Sequence, residues 1–221
     1  GVAVHINAFN FPIWGMLEKI AVNLMAGVPA VVKPSEYTSF LTEVVVRDII
    51  ASKILPEGAL QLLVGLGRGI IDHVDSRDTV TFTGSATTGT ILKAHPRIIS
   101  QSVAFNLEAD SLNATVLGLH AKPGTAEFDL FIKETVKEIT VKAGQKCTAI
   151  RRIIVPEDFI DEVQKGISAR LESTKIGDPS IDGVRMGALA TRLQVERVRA
   201  SVETLSKSQE IVFGDLDNFE V

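Results

Sequence analysis

The chain has 221 residues, 45% of them hydrophobic and 23% charged, with a formal net charge of −4 at pH 7. That length buries a substantial core, in one large domain or in two lobes. An acidic balance without a basic block offers nucleic acid no electrostatic footprint, and no apolar run reaches the roughly 18 residues that a membrane span needs. A single cysteine among 221 residues suits a reducing compartment, and signal-peptide architecture is missing, so cytoplasm is the expected location.

Val2 to Asn7 reads as a short strand that runs into Asn10-Phe11-Pro12. Pro12 suits a helical first turn, and Trp14, Leu17, Ile20, Ala21 and Leu24 repeat with helical spacing over Ile13 to Met25. Gly27-Val28-Pro29 ends that helix, and Ala30 to Val32 is a buried strand closing in Lys33-Pro34-Ser35-Glu36. An amphipathic helix over Ser39 to Ser52 follows, then strands at Leu60 to Val64, Val80 to Phe82 and Ile98 to Leu107. Between them lie a short helix near Ile70 to Val74 and another from Ala86 to His95. Strands alternating with helices through short loops predict an α/β fold, with a Rossmann-like parallel sheet covered on both faces.

A second lobe is expected from about Ala109, giving a cofactor lobe over residues 1–108 and a catalytic α/β lobe over 109–221. Its predicted elements are a strand at Asn113 to Leu117, a helix from Thr125 to Lys142 and a strand at Ile150 to Val155. Helices at Pro156 to Thr174 and Ala190 to Ser206, and a last strand at Glu210 to Phe213, complete it. Gly1 opens directly on Val-Ala-Val, and Phe213-Gly214-Asp215-Leu216 leads to Val221 without a capping element. The expectation is an interior piece of a longer protein, with the second lobe incomplete.

Five places carry side chains suited to chemistry. Gly144-Gln145-Lys146-Cys147-Thr148 sets the lone thiol between a helix and a strand, either as a nucleophile or as a small buried hydrophobe. Thr83-Gly84-Ser85-Ala86-Thr87-Thr88-Gly89 is a strand, a turn and a helix start, where free N–H groups bind a phosphate or merely begin a helix. Lys33, Ser35 and Glu36 close a strand at the edge where ligands of open α/β sheets collect; the alternative is a solvated strand end. Asn10 is either an amide donor to a developing oxyanion or a cap for the helix that follows. Glu108, after an apolar strand, is either a general base or half of an ion pair with a lysine. The four histidines lie far apart, and one cysteine with no His/Asp/Glu cluster makes no metal site.

Taken together these motifs resemble the NAD(P)-dependent aldehyde dehydrogenase superfamily. Phe9-Asn10-Phe11-Pro12, Lys33-Pro34-Ser35-Glu36, Phe82-Thr83-Gly84-Ser85 with Gly89, Glu108, and Gly144-Gln145-Lys146-Cys147 follow one another in that family's order. Leu107-Glu108-Ala109-Asp110-Ser111-Leu112-Asn113 and the run from Ala143 to Arg152 look like one branch of it, the CoA-linked semialdehyde dehydrogenases of aromatic degradation, phenylacetate catabolism included. The resemblance implies that Cys147 is the nucleophile, that Asn10 and the Cys147 backbone N–H hold the oxyanion, and that Glu108 activates water for release of the acid. It assigns Lys33 and Glu36 to the adenosine ribose, with Ser35 beside them, and Ser85, flanked by Gly84 and Gly89, to the pyrophosphate. The cofactor it implies is NADP or NAD, with NADP favoured by the branch although Glu36 suits a free ribose 2′-hydroxyl. It also implies a homo-oligomer for the full-length protein.

Three departures from the family pattern stand out. Phe9 replaces a common tryptophan, and Ala-Asp-Ser follows Glu108 where Leu-Gly-Gly-Lys is usual. A later Glu-x-Phe-Gly-Pro motif does not occur before the chain ends. Two rival readings follow: a CoA-acylating dehydrogenase, in which a thiol resolves the thioester, and a nucleotide-binding piece without turnover.

Overall fold

In the computed structural model, which describes residues 1–214, the backbone divides into Gly1–Asp110 and a second unit beginning at Ser111. The first unit alternates β1 (Ala3–Ile6), α1 (Trp14–Met25), β2 (Ala30–Lys33), α2 (Ser39–Ala51) and β3 (Leu60–Leu62). A 3-10 turn at Ile70–His73 leads to β4 (Thr79–Gly84), α3 (Ala86–Lys93), α4 (Pro96–Ser100) and β5 (Ala104–Ala109). All five strands are parallel, in the order β3-β2-β1-β4-β5. The chain leaves β1 for β2 on one side and returns to β4 on the other, so the strand order reverses between β1 and β4. Ligands of open α/β sheets bind outside the carboxyl ends of the strands at such a point.

Period-2 alternation sorts the two faces. Val4 and Val80 pack with Ile71, Val74, Ile98 and Val103. Ala30, Val32 and Leu60 pack on the other face with Met16, Ile20 and Val46 from α1 and α2. On that second face β1 and β4 carry His5 and Thr81, which are register partners.

The strand predicted over Ile98 to Leu107 begins six residues later than expected. Pro96 stands in the first turn of α4, and His95 caps it by accepting from the Arg97 backbone N–H at 3.2 Å. Proline lacks the N–H that a ladder needs and has a φ already suited to a first helical turn. Ile98 therefore reaches the core from a helix, and the strand waits until Ala104.

The second unit holds β6 (Asn113–Val116), α5 (Ala126–Thr140), a 3-10 turn at Val141–Gly144 and β7 (Ile150–Ile154). A 3-10 turn at Glu157–Phe159, α6 (Ile160–Glu172) and α7 (Arg192–Leu205) follow. β6 and β7 pair in parallel, with Asn113 opposite Ile150 and Ala114 opposite Arg152, so Arg151 is an extra, bulged residue. Thr125 caps α5 by accepting from the Phe128 N–H at 3.3 Å, and Glu127 and Asp129 complement the positive end of that helix. Phe128 and Ile132 of α5 pack on Leu117 and on Val163 of α6. The strand predicted at Glu210 to Phe213 does not form: Ile211, Val212 and Phe213 are exposed and pair with no described strand. An extended run is stable only where a neighbour takes its backbone hydrogen bonds.

Candidate active site

At the carboxyl end of β2, Lys33 is buried and its Nζ pairs with Glu36 Oε1 at 2.6 Å. Gly67, at φ +62, lies against the Lys33 stem, and a Cβ there would stand 3.0 Å from Cγ and 3.1 Å from Cε. Only glycine meets both demands without strain. Burial pushes the Glu36 carboxyl up, but the Lys33 hydrogen bond, a backbone hydrogen bond and the Lys33 charge together hold it below its ordinary range. Ser35 is half-buried in the intervening bend, and its carbonyl accepts from the Thr38 N–H at 3.2 Å.

Ser85 is the N-cap of α3, accepting from the Thr88 N–H at 3.3 Å and donating to Thr88 Oγ1 at 3.0 Å. The flanking glycines serve packing. A Cβ on Gly89 would meet Leu107 Cδ1 at 2.2 Å, so this glycine lets α3 lie close to the sheet, while one on Gly84 would meet the Phe82 ring of its own strand at 2.5 Å. The Ala86 N–H, a free donor in most helix starts, points at Asp110 Oδ1 at 3.2 Å. Asp110 sits at φ +53, a left-handed conformation that Asp tolerates better than most residues. The departure after Glu108 thus has a physical role: its aspartate ties the end of β5 to the start of α3.

Beyond β1 and β4 the site turns polar. Lys19 of α1 donates to Asn7 Oδ1 at 2.9 Å and to Thr83 Oγ1 at 2.6 Å. Thr83 in turn donates to Glu108 Oε2 at 3.4 Å, so an ammonium, a hydroxyl and a carboxylate form one chain. Burial lowers the Lys19 pKa, opposed by the charges of Glu108 and Glu18. Asn7 is buried, and the ammonium compels its oxygen to face Lys19, which leaves Nδ2 without an acceptor among the described residues. Asn10 is half-buried in the loop between β1 and α1. The cap position of α1 is Ile13, which makes no side-chain cap bond.

Cys147 lies in the second unit, in the turn that joins the Val141–Gly144 segment to β7, and it is exposed. The buried-hydrophobe reading of the thiol therefore falls. Its turn is closed by the Ala149 N–H donating to the Lys146 carbonyl at 3.2 Å. Asn113 Nδ2 of β6 donates to the carbonyl of Cys147, and to that of Ala149 at 3.3 Å. Before the thiol, Lys142, Ala143 and Gly144 take φ values of 55, 53 and 70° in succession. Arg151, the bulged residue, donates to the Gly144 carbonyl at 2.8 Å, and Lys146 Nζ pairs with Glu138 at 2.6 Å. Gln145 Oε1 accepts from the Ala190 N–H at 3.0 Å.

Five residues that matter here were given no role by the motif reading: Asn7 and Lys19, which lie outside the motifs, and Thr83, Asp110 and Asn113, which lie within them. A usable signal existed for two of them. Asn7 closes an apolar strand two residues after His5, and Lys19 lies four residues before Asn23 on a helix otherwise rich in apolar residues. Among the described residues no group of three or more His, Cys, Asp or Glu is placed to hold a metal ion, and no helix is long and apolar enough to cross a membrane.

Comparison with known proteins gives these arrangements a context. The sequence pattern of the aldehyde dehydrogenase family matches residues 1–219. The chain is 46% identical over 220 residues to a 3,4-dehydroadipyl-CoA semialdehyde dehydrogenase of Aromatoleum evansii, covering 100% of this chain and 43% of that protein. It is 30% identical over 219 residues to a hydroxyisobutyraldehyde dehydrogenase of Mycolicibacterium austroafricanum, covering 97% and 42%. The chain thus spans less than half the length of these curated relatives. Among solved structures, a double mutant of betaine aldehyde dehydrogenase from Staphylococcus aureus in complex with NAD+ superposes with a TM-score of 0.85 at 25% identity, over 97% of this chain and 42% of that one. Proline Utilization A of Bradyrhizobium japonicum superposes at 0.84 and 26% identity, over 97% and 22%. The chain belongs to the aldehyde dehydrogenase family.

Proposed function

We propose that the full-length protein oxidises a CoA-linked semialdehyde, of the kind released by aromatic ring cleavage, to its carboxylic acid with NAD(P). The observation that carries this reading is the 46% identity, spread over the whole chain, to a CoA-linked semialdehyde dehydrogenase. Residues 1–108 hold the cofactor in this proposal, residues 109–221 supply the nucleophile, and the full-length protein assembles as a homo-oligomer. A reducing cytoplasm suits a thiol that must stay free.

The chain's own residues do the following work. The Cys147 thiolate adds to the aldehyde carbon, and the Asn10 amide with the Cys147 backbone N–H holds the oxygen that becomes negative. Oxidised NAD(P), which Lys33, Glu36 and Ser85 would hold, would supply the hydride acceptor, and loss of hydride from the carbon bound to Cys147 would leave a thioester there. Glu108 then removes a proton from water as that water attacks the thioester carbon, the Cys147 sulfur leaves, and the acid is released. Thr83 holds the carboxylate from one side while accepting from Lys19 on the other.

A dinucleotide suits the residues present. Gly67 leaves room for the Lys33 stem, Gly89 lets α3 approach the sheet, and the Ser85 cap opens a helix start to a pyrophosphate. Asp110 competes there, since it already takes the Ala86 N–H. Glu36 accepts from a 2′-hydroxyl, whereas a 2′-phosphate draws Lys33 out of its pair with Glu36; the branch resemblance favours NADP.

The test uses full-length protein, a CoA-linked semialdehyde, and NADP or NAD. Cys147→Ala abolishes reduced-cofactor formation, while Glu108→Gln keeps a single-turnover hydride burst and slows steady-state release by about 10²–10⁴-fold. Normal turnover by Glu108→Gln removes the assigned base. A CoA thioester as product, in place of free acid, replaces this reading with the CoA-acylating one.

A further inference from the structure

We propose that His5 and Asn23 are positioning residues for Lys19, forming the lower rung of a polar ladder whose upper rung reaches Glu108. The proposal rests on Glu108 acting as the base.

The lower rung joins β1, β4 and α1. His5 Nδ1 lies 2.8 Å from Thr81 Oγ1, and His5 Nε2 lies 2.7 Å from Asn23 Oδ1. Asn23 Nδ2 donates to the Val28 carbonyl at 2.6 Å, which commits its Oδ1 to accepting. The proton of His5 therefore sits on Nε2, and Nδ1 accepts from the Thr81 hydroxyl. Both ring nitrogens are used, by a neutral ring of one tautomer that is buried.

The upper rung takes one residue from each of the same three elements: Asn7 follows β1, Thr83 is in β4 and Lys19 is in α1. The two rungs are two residues apart on the strands and four apart on the helix. Two strand residues rise about 6.6 Å and four helical residues about 6 Å, so both rungs stay in step along one face. The residue numbers run upward on the strands and downward on α1, as an antiparallel crossover helix requires. A helix that slides along the sheet loses both rungs together.

At the start of α1 the buried Thr42 hydroxyl donates to the Pro12 carbonyl at 3.3 Å, which anchors that end to α2. The α1 cap position, Ile13, has no side-chain cap bond, and the last turn of α1 holds no basic residue. At the far end the Asn23 side chain, together with the Val28 N–H donating to the Asn23 carbonyl at 2.8 Å, ties the helix to the turn into β2. Asn23 lies one helical turn beyond Lys19, so the contact with His5 sets the height at which the Lys19 stem leaves the helix. The charged and titratable groups acting on Lys19 are Glu108 from β5, Glu18 from its own helix and His5 from β1. A neutral His5 keeps a second positive charge out of this layer.

The experiment compares full-length wild type with His5→Leu, His5→Gln and Asn23→Ala. Competitive acetylation of Lys19 across pH, read by mass spectrometry, reports its protonation without any turnover. Steady-state and burst kinetics with a CoA-linked semialdehyde report the chemistry. His5→Leu and Asn23→Ala should move the Lys19 labelling midpoint up toward an ordinary lysine. They should lower kcat by about 10- to 100-fold with KM little changed, and keep the hydride burst. His5→Gln, which retains one donor and one acceptor, should restore both. Folded His5→Leu or Asn23→Ala protein with the wild-type midpoint and kcat overturns the proposal, as does a His5→Gln variant no better than His5→Leu. If His5→Leu fails to fold, Asn23→Ala decides by the same two readings. Absence of reduced cofactor from wild type with every aldehyde sinks the function proposed above, while the labelling midpoints still judge the ladder.

Discussion

Around Glu108 side chains hold one another, whereas around Cys147 side chains hold a backbone turn. The carboxylate lies at the end of a chain of hydrogen-bonding side chains that stand on two parallel strands and one helix, each in an ordinary conformation. The thiol follows three consecutive left-handed residues, two of them not glycine, in a turn gripped through its carbonyls by Asn113 and Arg151. A side-chain ladder inherits its accuracy from strand register and tolerates small shifts of the backbone. A strained turn has no such support and depends on the few bonds that hold it. The two regions should therefore fail differently.

Asn113→Ala gives the largest contrast. It leaves the carbonyls of Cys147 and Ala149 without that donor and removes the tie between β6 and the turn, at a cost of about 1–3 kcal/mol. Urea unfolding should show this loss, and limited proteolysis should cut near residues 142–148 before it cuts the first unit. Equal protection of both regions in the variant would remove the distinction drawn here.

A smaller effect of opposite sign is expected from Ala143→Gly. A left-handed non-glycine residue costs about 1–2 kcal/mol, and glycine returns part of that relief as unfolded-state entropy, so the net gain is about 0.5–1 kcal/mol. Equilibrium unfolding measures it, and a loss of stability would show that the turn is not strained.

The shallowest effect is a slope with pH. Burial, with a contribution from the Lys19 charge, holds the His5 pKa below its ordinary 6.5 against the opposing Asn23 hydrogen bond. The folded state thus favours the neutral ring. That stability is fully present above the unfolded value, and it declines as pH falls below 6.5 toward the folded pKa. Unfolding measured from pH 7.5 to 5 should show wild type losing more stability than His5→Gln, and parallel curves would mean that His5 is not held neutral.

Local periodicity made most of the first unit legible. The helix over Trp14–Met25 and the strands at Ala3–Ile6 and Ala30–Lys33 follow their apolar repeats to within a residue or two. Where a local signal competed with periodicity the reading slipped: Ile98 and Ile99 looked strand-like, but Pro96 and a capping His95 make that segment a helix. Among the candidate residues, the thiol was readable as a lone cysteine between a helix and a strand, and Lys33, Glu36 and Glu108 as charged residues at strand ends. The bonds from Lys19 through Thr83 to Glu108 were not, because they join residues 64 and 25 apart in sequence.

The alternation of strands and helices, the family motifs in their order and a solitary cysteine between a helix and a strand can all be read along the chain. Folding alone reveals which polar side chains share a layer, that Asp110 closes the start of α3, and that the backbone before Cys147 turns left-handed. Periodicity is a property of neighbours along the chain, whereas a hydrogen bond between β1 and β4 depends on register across 76 residues, which no local pattern encodes.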